Sequence, residues 1–233
     1  MGKKYSVSVI LPTYNESMNI KEMIKRLNKS VSGIKEIIVV DDNSPDDTAK
    51  FASGMQNTKV IVRKKERGVA SAIYTGIKIA KCDVIAWMDC DLSMPPEVLG
   101  KMLKKMDGND VVVGSRYAGS GRDKRDFIRV LTSRAINLMA NMILNFKVRD
   151  YDSGFVAAKK GVFDKVSFNP KGHGEYCIEF LYKCTKKGMK IKEVGYIFED
   201  RKRGTSKSNS SIFGFLKFGL QYAGKIIKLR FSE

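Results

Sequence analysis

The sequence predicts an α/β fold, with a mostly parallel central sheet flanked by helices, and two observations carry that prediction. β-rich runs alternate with helical stretches through the first half of the chain, the pattern of parallel strands joined by crossover helices. One of those runs, over residues 83–92, stops abruptly at two carboxylates one residue apart, Asp89 and Asp91. Like charges so close resist joint ionisation, and a divalent cation removes that cost. Hard carboxylate oxygens suit Mg²⁺ or Mn²⁺, which leave coordination positions open for substrate phosphates. In open α/β sheets ligands gather at the carboxyl ends of strands, so the expectation is a metal and diphosphate site there.

The elements follow in order. Residues 7–11 form a short apolar run ended by Pro12, read as a first buried strand. Asn15 or Ser17 is expected to cap a helix over 18–27. Residues 36–40 make a second strand. The turn Asp41-Asp42-Asn43-Ser44-Pro45 then opens a helix with Ser44 as N-cap and Pro45 at its first position. Residues 60–62 are a third strand, and a small-residue helix runs from Gly68 to about Ala80. After the fourth strand, which ends at Asp89, Pro95-Pro96-Glu97 introduces a helix to Met106, and 110–114 is a fifth strand.

The second half changes character. Residues 127–146 read as one long helix whose apolar arc is wider than a surface helix of a soluble domain usually carries. Its polar positions, Arg129, Ser133, Asn137 and Asn141, keep to one side, so the helix is either buried in the core or faces a membrane. Residues 191–198 form a late strand and 201–207 a basic loop. Residues 212–231 form an amphipathic helix with Lys217, Gln221, Lys225 and Lys228 on one stripe. Eight basic side chains against one acidic over 201–233, beside aromatic residues, is the pattern of a helix lying on anionic lipid.

A net charge of +18 over 233 residues implies an anionic partner: nucleic acid, a phosphorylated ligand or an acidic membrane surface. Cys82, Cys90, Cys177 and Cys184 include no CxxC pair, and with His173 as the single histidine they make poor zinc ligands. No window approaches the ~18–20 apolar residues of a membrane span, and the run after Tyr5 is too short for a signal peptide. The expectation is a reduced, cytoplasmic protein of 1–207 as one catalytic domain, with 208–233 as a basic amphipathic segment.

Several motifs in this order resemble the family 2 glycosyltransferases. They are Pro12-Thr13-Tyr14-Asn15-Glu16, Asp41-Asp42-Asn43-Ser44-Pro45 and Asp89-Cys90-Asp91-Leu92. Gly114-Ser115-Arg116-Tyr117, Ser153-Gly154-Phe155 and the R-x-x-G-x-S-K run from Arg201 to Lys207 narrow the resemblance to dolichol-phosphate mannose synthases and polyprenyl-phosphate glucosyltransferases. The resemblance covers most of the chain and implies a GT-A type nucleotide-sugar-binding fold with a C-terminal amphipathic helix. It implies nucleotide contacts by Pro12, Tyr14, Glu16, Val40 and Asp42, and a metal and diphosphate site at Asp89, Cys90 and Asp91. Ser93 departs from the family pattern, where a glutamine commonly stands; its hydroxyl is shorter and would reach an ion only through water. Arg116, Arg129, Arg201 and Lys207 match cations around donor and acceptor phosphates, with Ser133 beside Arg116 and Arg129 on the acceptor side.

The activity this implies is inverting, metal-dependent transfer of a hexose from a nucleoside diphosphate sugar to dolichyl or polyprenyl phosphate. GDP-mannose is preferred as donor, with UDP-glucose the alternative. Asp91, Arg116 and Arg129 are the residues expected to carry the chemistry. A phosphate nucleophile is largely ionised near pH 7 and needs no general base; were one needed, His173, Asp91, Asp150 and Asp152 are the candidates. Relatives often carry transmembrane helices after the catalytic domain, so this chain is expected to sit peripherally on the inner face of the cell membrane through 127–146 and 212–231. The rival readings are a family 2 enzyme acting on a polysaccharide or protein, and a nucleic-acid-binding protein. The second rests on charge alone, with no binding signature to support it.

Overall fold

The computed structural model of the chain describes residues 4–172, 174–201, 203–204 and 212–231, with the backbone alone over 212–218. The strands are β1 (Val7–Thr13), β2 (Ile34–Asp41), β3 (Thr58–Val62), β4 (Val84–Trp87), β5 (Val111–Ser115), β6 (Arg122–Asp123), β7 (Val156–Lys159), β8 (Ile191–Gly195) and β9 (Ile197–Phe198). The helices are α1 (Ile20–Ser30), α2 (Thr48–Ala52), α3 (Val69–Ile79), α4 (Glu97–Leu103), α5 (Phe127–Ile143), α6 (Glu175–Lys186) and α7 (Ile212–Phe231). Seven strands form one sheet in the order β3-β2-β1-β4-β7-β5-β8, and β6 pairs with β9 in a separate short ladder. Every pairing is parallel except those of β7, which runs antiparallel between β4 and β5.

The period-2 alternation of the strands divides the core into two apolar layers. Ile10, Ile38, Val40, Ile85, Trp87, Val111 and Val113 face α3, α5, α6 and α7, where Trp87 packs edge-on against Phe168 and Phe180. Val7, Val9, Leu11, Ile37, Val39, Ala86 and Val112 face α1 and α4. Gly76 lets α3 lie close on β1: a Cβ there would come 2.6 Å from a methyl carbon of Ile10.

Several local expectations are corrected. Asn15 and Ser17 do not cap α1, which begins two residues later than expected with Asn19 at the N-cap position and no side-chain cap bond. Their backbone N–H groups instead donate to Ser44 Oγ and Asp46 Oδ2 across the β2–α2 turn. Ser44 is not a helix cap either; α2 begins at Thr48, after Asp47 in a left-handed conformation. Val40 is fully buried between sheet and helices, so its side chain cannot reach a nucleotide. The run 191–198 splits into β8 and β9 in different ladders.

The helix over 127–146 is not a core helix in the expected sense. Its polar Ser133 and Asn137 are buried, while Phe127, Ile128, Leu131, Leu138 and Met142 are more than half exposed. The inward polar side is held by specific bonds: Asn137 Oδ1 accepts from the Tyr151 N–H at 2.7 Å, and Ser133 Oγ accepts from Arg125 at 2.8 Å. Helix α7 packs against α5 and α6, burying Ile226 and Leu229, and leaves Leu220 and Phe231 exposed on the same molecule. Lys225, expected on a lipid-facing stripe, is instead ion-paired with the buried Glu179 of α6.

Candidate active site

Strand β1 is the point from which the chain winds one way to β2 and β3 and the other way to β4. Ligands of open α/β sheets bind at such a switch point, beyond the strand carboxyl ends. The loops after β1 and β4 carry Pro12–Glu16 and Asp89–Ser93, and both line one cavity of about 540 Å³. Tyr14 and Glu16 meet Asp42, Arg67 and Gly68 on one side of it. Arg116, Arg125, Arg129, Asp152, Arg201 and Tyr222 close the other. Among the described residues, the cavity thus gathers Pro12, Tyr14, Glu16, Asp42, Asp89, Cys90, Asp91, Ser93, Arg116, Arg129 and Arg201, all singled out from sequence. Val40 is not among its walls, Ser133 lies behind them, and Lys207 and His173 fall outside the described residues.

The Asp91 carboxylate is held from both ends. One oxygen accepts from the Ser93 N–H at 3.0 Å and the Ser93 hydroxyl at 2.5 Å; the other lies 2.9 Å from Arg201 Nη2. Between Asp91 and Ser93, Leu92 takes a left-handed φ of +65°. A side chain of this kind rarely adopts that conformation, which costs on the order of 1–3 kcal/mol and concentrates at functional turns. The residue that replaces the family's glutamine therefore fixes the orientation of Asp91. Asp89 and Asp91 supply hard oxygens, and no cluster of three His, Cys, Asp or Glu side chains forms among the described residues. An ion at this pair would draw its other ligands from water and diphosphate oxygens. That is the habit of Mg²⁺ and Mn²⁺, and the donor set fits them.

Arg201 also reaches Glu16, with Nη1 3.3 Å from Oε1, while Glu16 Oε2 accepts from Asn19 Nδ2 at 2.8 Å. One guanidinium thus ties the β1 loop to the β4 loop. Asp42 lines the cavity, but its carboxylate is already engaged by Arg63 and by the Gly68 N–H at 2.7 Å. It anchors the loop that places Arg67 over the Tyr14 ring, 5.1 Å from the centroid. Asp41 is buried and accepts from Thr13 Oγ1 and from the Ser44 N–H and hydroxyl, which shapes the turn.

The cations on the α5 side are less available than their types suggest. Arg116 is buried and forks onto Asp150, with Nε 2.9 Å and Nη2 2.6 Å from its two oxygens. Its remaining N–H groups reach the Asp152 carbonyl at 3.0 Å and Ser133 Oγ at 3.4 Å. Arg116 is therefore a compensated wall of the cavity rather than the free phosphate ligand expected. Arg129 is paired with Asp126 and Asp200 at 3.1 and 2.9 Å. Arg125 pairs with Asp123, lies over the Phe198 ring at 4.8 Å and donates to Ser133.

Of the three carboxylates weighed as bases, Asp150 is spent on Arg116 and Asp91 on Ser93 and Arg201. Asp152 differs: burial raises its pKa, the nearby Arg116 pulls it back, and its Oδ1 accepts from the Tyr222 hydroxyl at 3.2 Å. Arg67, Arg125 and Tyr222 went unnoticed in the sequence reading of the site. Arg67 had a weak local signal, standing beside the helix-opening Gly68, whereas Tyr222 comes from a helix 70 residues away in sequence.

Residues 8–167 match the family described as Glycosyl transferase family 2. A dolichol-phosphate mannosyltransferase from Pyrococcus furiosus is 40% identical over 221 residues, covering 91% of this chain and 62% of that protein. The chain thus spans less than two thirds of that relative's length. A dolichol-phosphate mannosyltransferase from Mycosarcoma maydis is 30% identical over 242 residues, covering 97% of this chain and 81% of that one. Among solved structures, a glucosyl-3-phosphoglycerate synthase from Mycobacterium tuberculosis in complex with uridine-diphosphate superposes with a TM-score of 0.73 at 21% identity. That match covers 97% of this chain and 80% of the other, a likeness of fold. With the motif-bearing loops assembled at one switch point and the family match spanning most of the sequence, the chain belongs to glycosyl transferase family 2.

Proposed function

We propose that the protein transfers a hexose, mannose from GDP-mannose, to dolichyl or polyprenyl phosphate at the inner face of the cell membrane, with inversion at the anomeric carbon. The names of the relatives support this, and one observation carries it. The cavity that holds Asp89, Asp91 and Arg201 is walled by α5, the helix whose outer face exposes Phe127, Ile128, Leu131, Leu138 and Met142. A phosphate head can meet the donor inside while its isoprenoid tail stays in lipid. An exposed apolar patch of that kind marks an interaction surface.

In this reading Tyr14 and Arg67 hold the nucleotide, and Arg201 faces the donor diphosphate. Asp89 and Asp91 hold Mg²⁺ or Mn²⁺, which when bound stabilises the departing diphosphate as a Lewis acid. Arg129 and Arg125, at the cavity rim beside Ser133, trade carboxylate partners for the acceptor phosphate. Arg116 keeps Asp150 and the 150–154 turn in place beneath them. A phosphate monoester has a second pKa of about 6, so the attacking oxygen is largely anionic at pH 7 and alignment matters more than proton removal. Residues 1–207 carry the motif-bearing loops of the catalytic unit, and α7 within 208–233 both adds Tyr222 to its cavity and offers Leu220 and Phe231 to lipid.

Incubation with polyprenyl phosphate, a divalent metal and radiolabelled GDP-mannose is expected to put label into the organic phase. Labelled UDP-glucose is expected to give little, and EDTA to abolish the signal. Label from UDP-glucose alone would reassign the sugar, and label in neither organic phase would move the acceptor to a polysaccharide or protein. Attachment is read separately by flotation with liposomes. Burying a large apolar side chain contributes roughly 1.5–3 kcal/mol. Phe127→Asp and Leu131→Asp are therefore each expected to weaken liposome binding at least about tenfold; flotation equal to that of the parent protein would refute the membrane assignment.

A further inference from the structure

We propose that a second cavity, of about 730 Å³ and on the far side of Arg116 from the donor site, binds the phosphate headgroup of an anionic membrane phospholipid. Of the residues lining the two cavities, only Arg116 is common to both. The second is built from the end of β5, the β6 segment, the outer stripe of α5 and the loop before β7. Besides Arg116, three arginines stand around it: Arg122 from β6, Arg134 from α5 and Arg149 from the loop. No ion pair joins any of the three guanidinium groups to a carboxylate among the described residues. The one acid in the lining, Asp123, has its side chain buried and spent on Arg125 at 2.7 Å and Arg116 at 3.8 Å. Glu193, nearby in the fold, is engaged by the backbone N–H groups of Arg149 and Asp150.

Like charges gathered around a concavity repel one another, and an anion bound among them reverses that cost. Planar guanidinium groups suit phosphate oxygens, which accept bidentate forks. Asn137 and Asn141 add amide groups to the wall, although both amide nitrogens are spent on α5 carbonyls. The source of the anion follows from position. Arg134 and Leu138 lie one helical turn apart on α5, and Leu138 both lines the cavity and is exposed among the apolar residues of that helix. A headgroup at the three arginines leaves its acyl chains along Leu138 and Met142. Only this lipid source rests on the membrane reading above; the anion site itself does not.

The test uses the full chain and vesicles of phosphatidylcholine alone or with 30% phosphatidylglycerol, without any sugar donor. An Arg134→Gln/Arg149→Gln variant is compared with a control, Lys50→Gln/Lys59→Gln, that removes two charges from α2 and β3 at the other edge of the sheet. About fivefold per cation is the scale of attraction to an anionic surface. The arginine pair is expected to lose at least roughly thirtyfold in affinity for the phosphatidylglycerol vesicles, while the control stays within about threefold of the parent. Binding to pure phosphatidylcholine is expected to be alike in all three. Equal losses in variant and control would overturn the site in favour of diffuse electrostatics. Saturable protection of Arg134 and Arg149 by inorganic phosphate, without any preference for phosphatidylglycerol, would overturn the lipid source. Because both arginines lie outside the donor cavity, product formation from a detergent-dispersed acceptor is expected to be unchanged in the variant, which separates this test from that of the catalytic reading.

Discussion

Arg116→Ala is expected to destabilise the protein by roughly 3–5 kcal/mol, the cost of stripping one partner from a buried ion pair. For a chain of this size that is a fall in Tm of about 10 °C, read by thermal unfolding. Burial works against the charge of Arg116, but the Asp150 carboxylate outweighs it and holds the guanidinium pKa well above its ordinary value. Asp150 is fully buried and its oxygens take the Arg116 N–H, Nε and Nη2, so alanine leaves a carboxylate with its main partner gone. Two further variants separate this from a purely catalytic role. Arg116→Lys keeps the charge but loses the fork, and is expected to recover only part of the stability. Arg116→Met with Asp150→Leu removes both charges and is expected to be more stable than Arg116→Ala alone. If Arg116→Ala melted with the parent protein and only turnover fell, the residue would be a phosphate ligand and the structural account would be wrong.

What the sequence displayed, and what it hid, divides along the range of the interactions. Strands β1, β2 and β4 were legible as apolar runs, but their ends were not: β1 continues through Pro12 to Thr13, β2 takes in Asp41, and β4 stops at Trp87, two residues short of Asp89. The ends of α7 and the start of α5 were legible from periodicity. Helix α6 escaped although Glu175, Glu179, Lys183 and Lys186 recur at helical spacing, because the residues between them, Tyr176, Cys177, Phe180, Tyr182 and Cys184, are weak helix formers by type. Strand β7 escaped because it is four residues long, half alanine, and runs against the parallel direction of its neighbours. The break between β8 and β9 has a tertiary cause: at Gly195 a Cβ would lie 2.2 Å from the Ala118 carbonyl oxygen. In the site, residue types within one loop could be read as a group. The forks of Arg116 onto Asp150 and of Arg63 onto Asp42, and the reach of Tyr222 to Asp152, could not. They join residues 34, 21 and 70 positions apart, and spacing carries no trace of them. Helix α5 divides its apolar residues: Ile136 and Ala140 enter the core beside Ser133 and Asn137, while Phe127, Ile128, Leu131, Leu138 and Met142 face out.

Asp91→Ala is expected to lower turnover by at least 10²–10³-fold, the scale seen when a preorganised charge-stabilising group at a reacting centre is removed. The fold is expected to survive. Asp91 sits at the carboxyl end of β4 rather than in either apolar layer, and Arg201 keeps Glu16 as a partner when Asp91 is gone. A Tm close to that of the parent, measured beside the activity, therefore distinguishes this variant from Arg116→Ala, whose loss of activity would come with loss of stability. Ser93→Ala refines the argument. It deletes the 2.5 Å hydroxyl bond to Asp91 Oδ1 but leaves the backbone N–H bond at 3.0 Å, so the carboxylate is loosened rather than released. Groups that orient a metal-binding side chain typically contribute 10–100-fold to metal affinity or activity. The expected signature is thus a rise of about tenfold in the Mn²⁺ concentration needed for half-maximal activity, with the maximal rate at saturating metal falling less. Ser93→Gln, which restores the residue common in the family, tests whether a longer side chain can take over. If Ser93→Ala left the metal dependence untouched while Asp91→Ala abolished turnover, Asp91 would act without the Ser93 bond, and the left-handed Leu92 turn alone would account for its orientation.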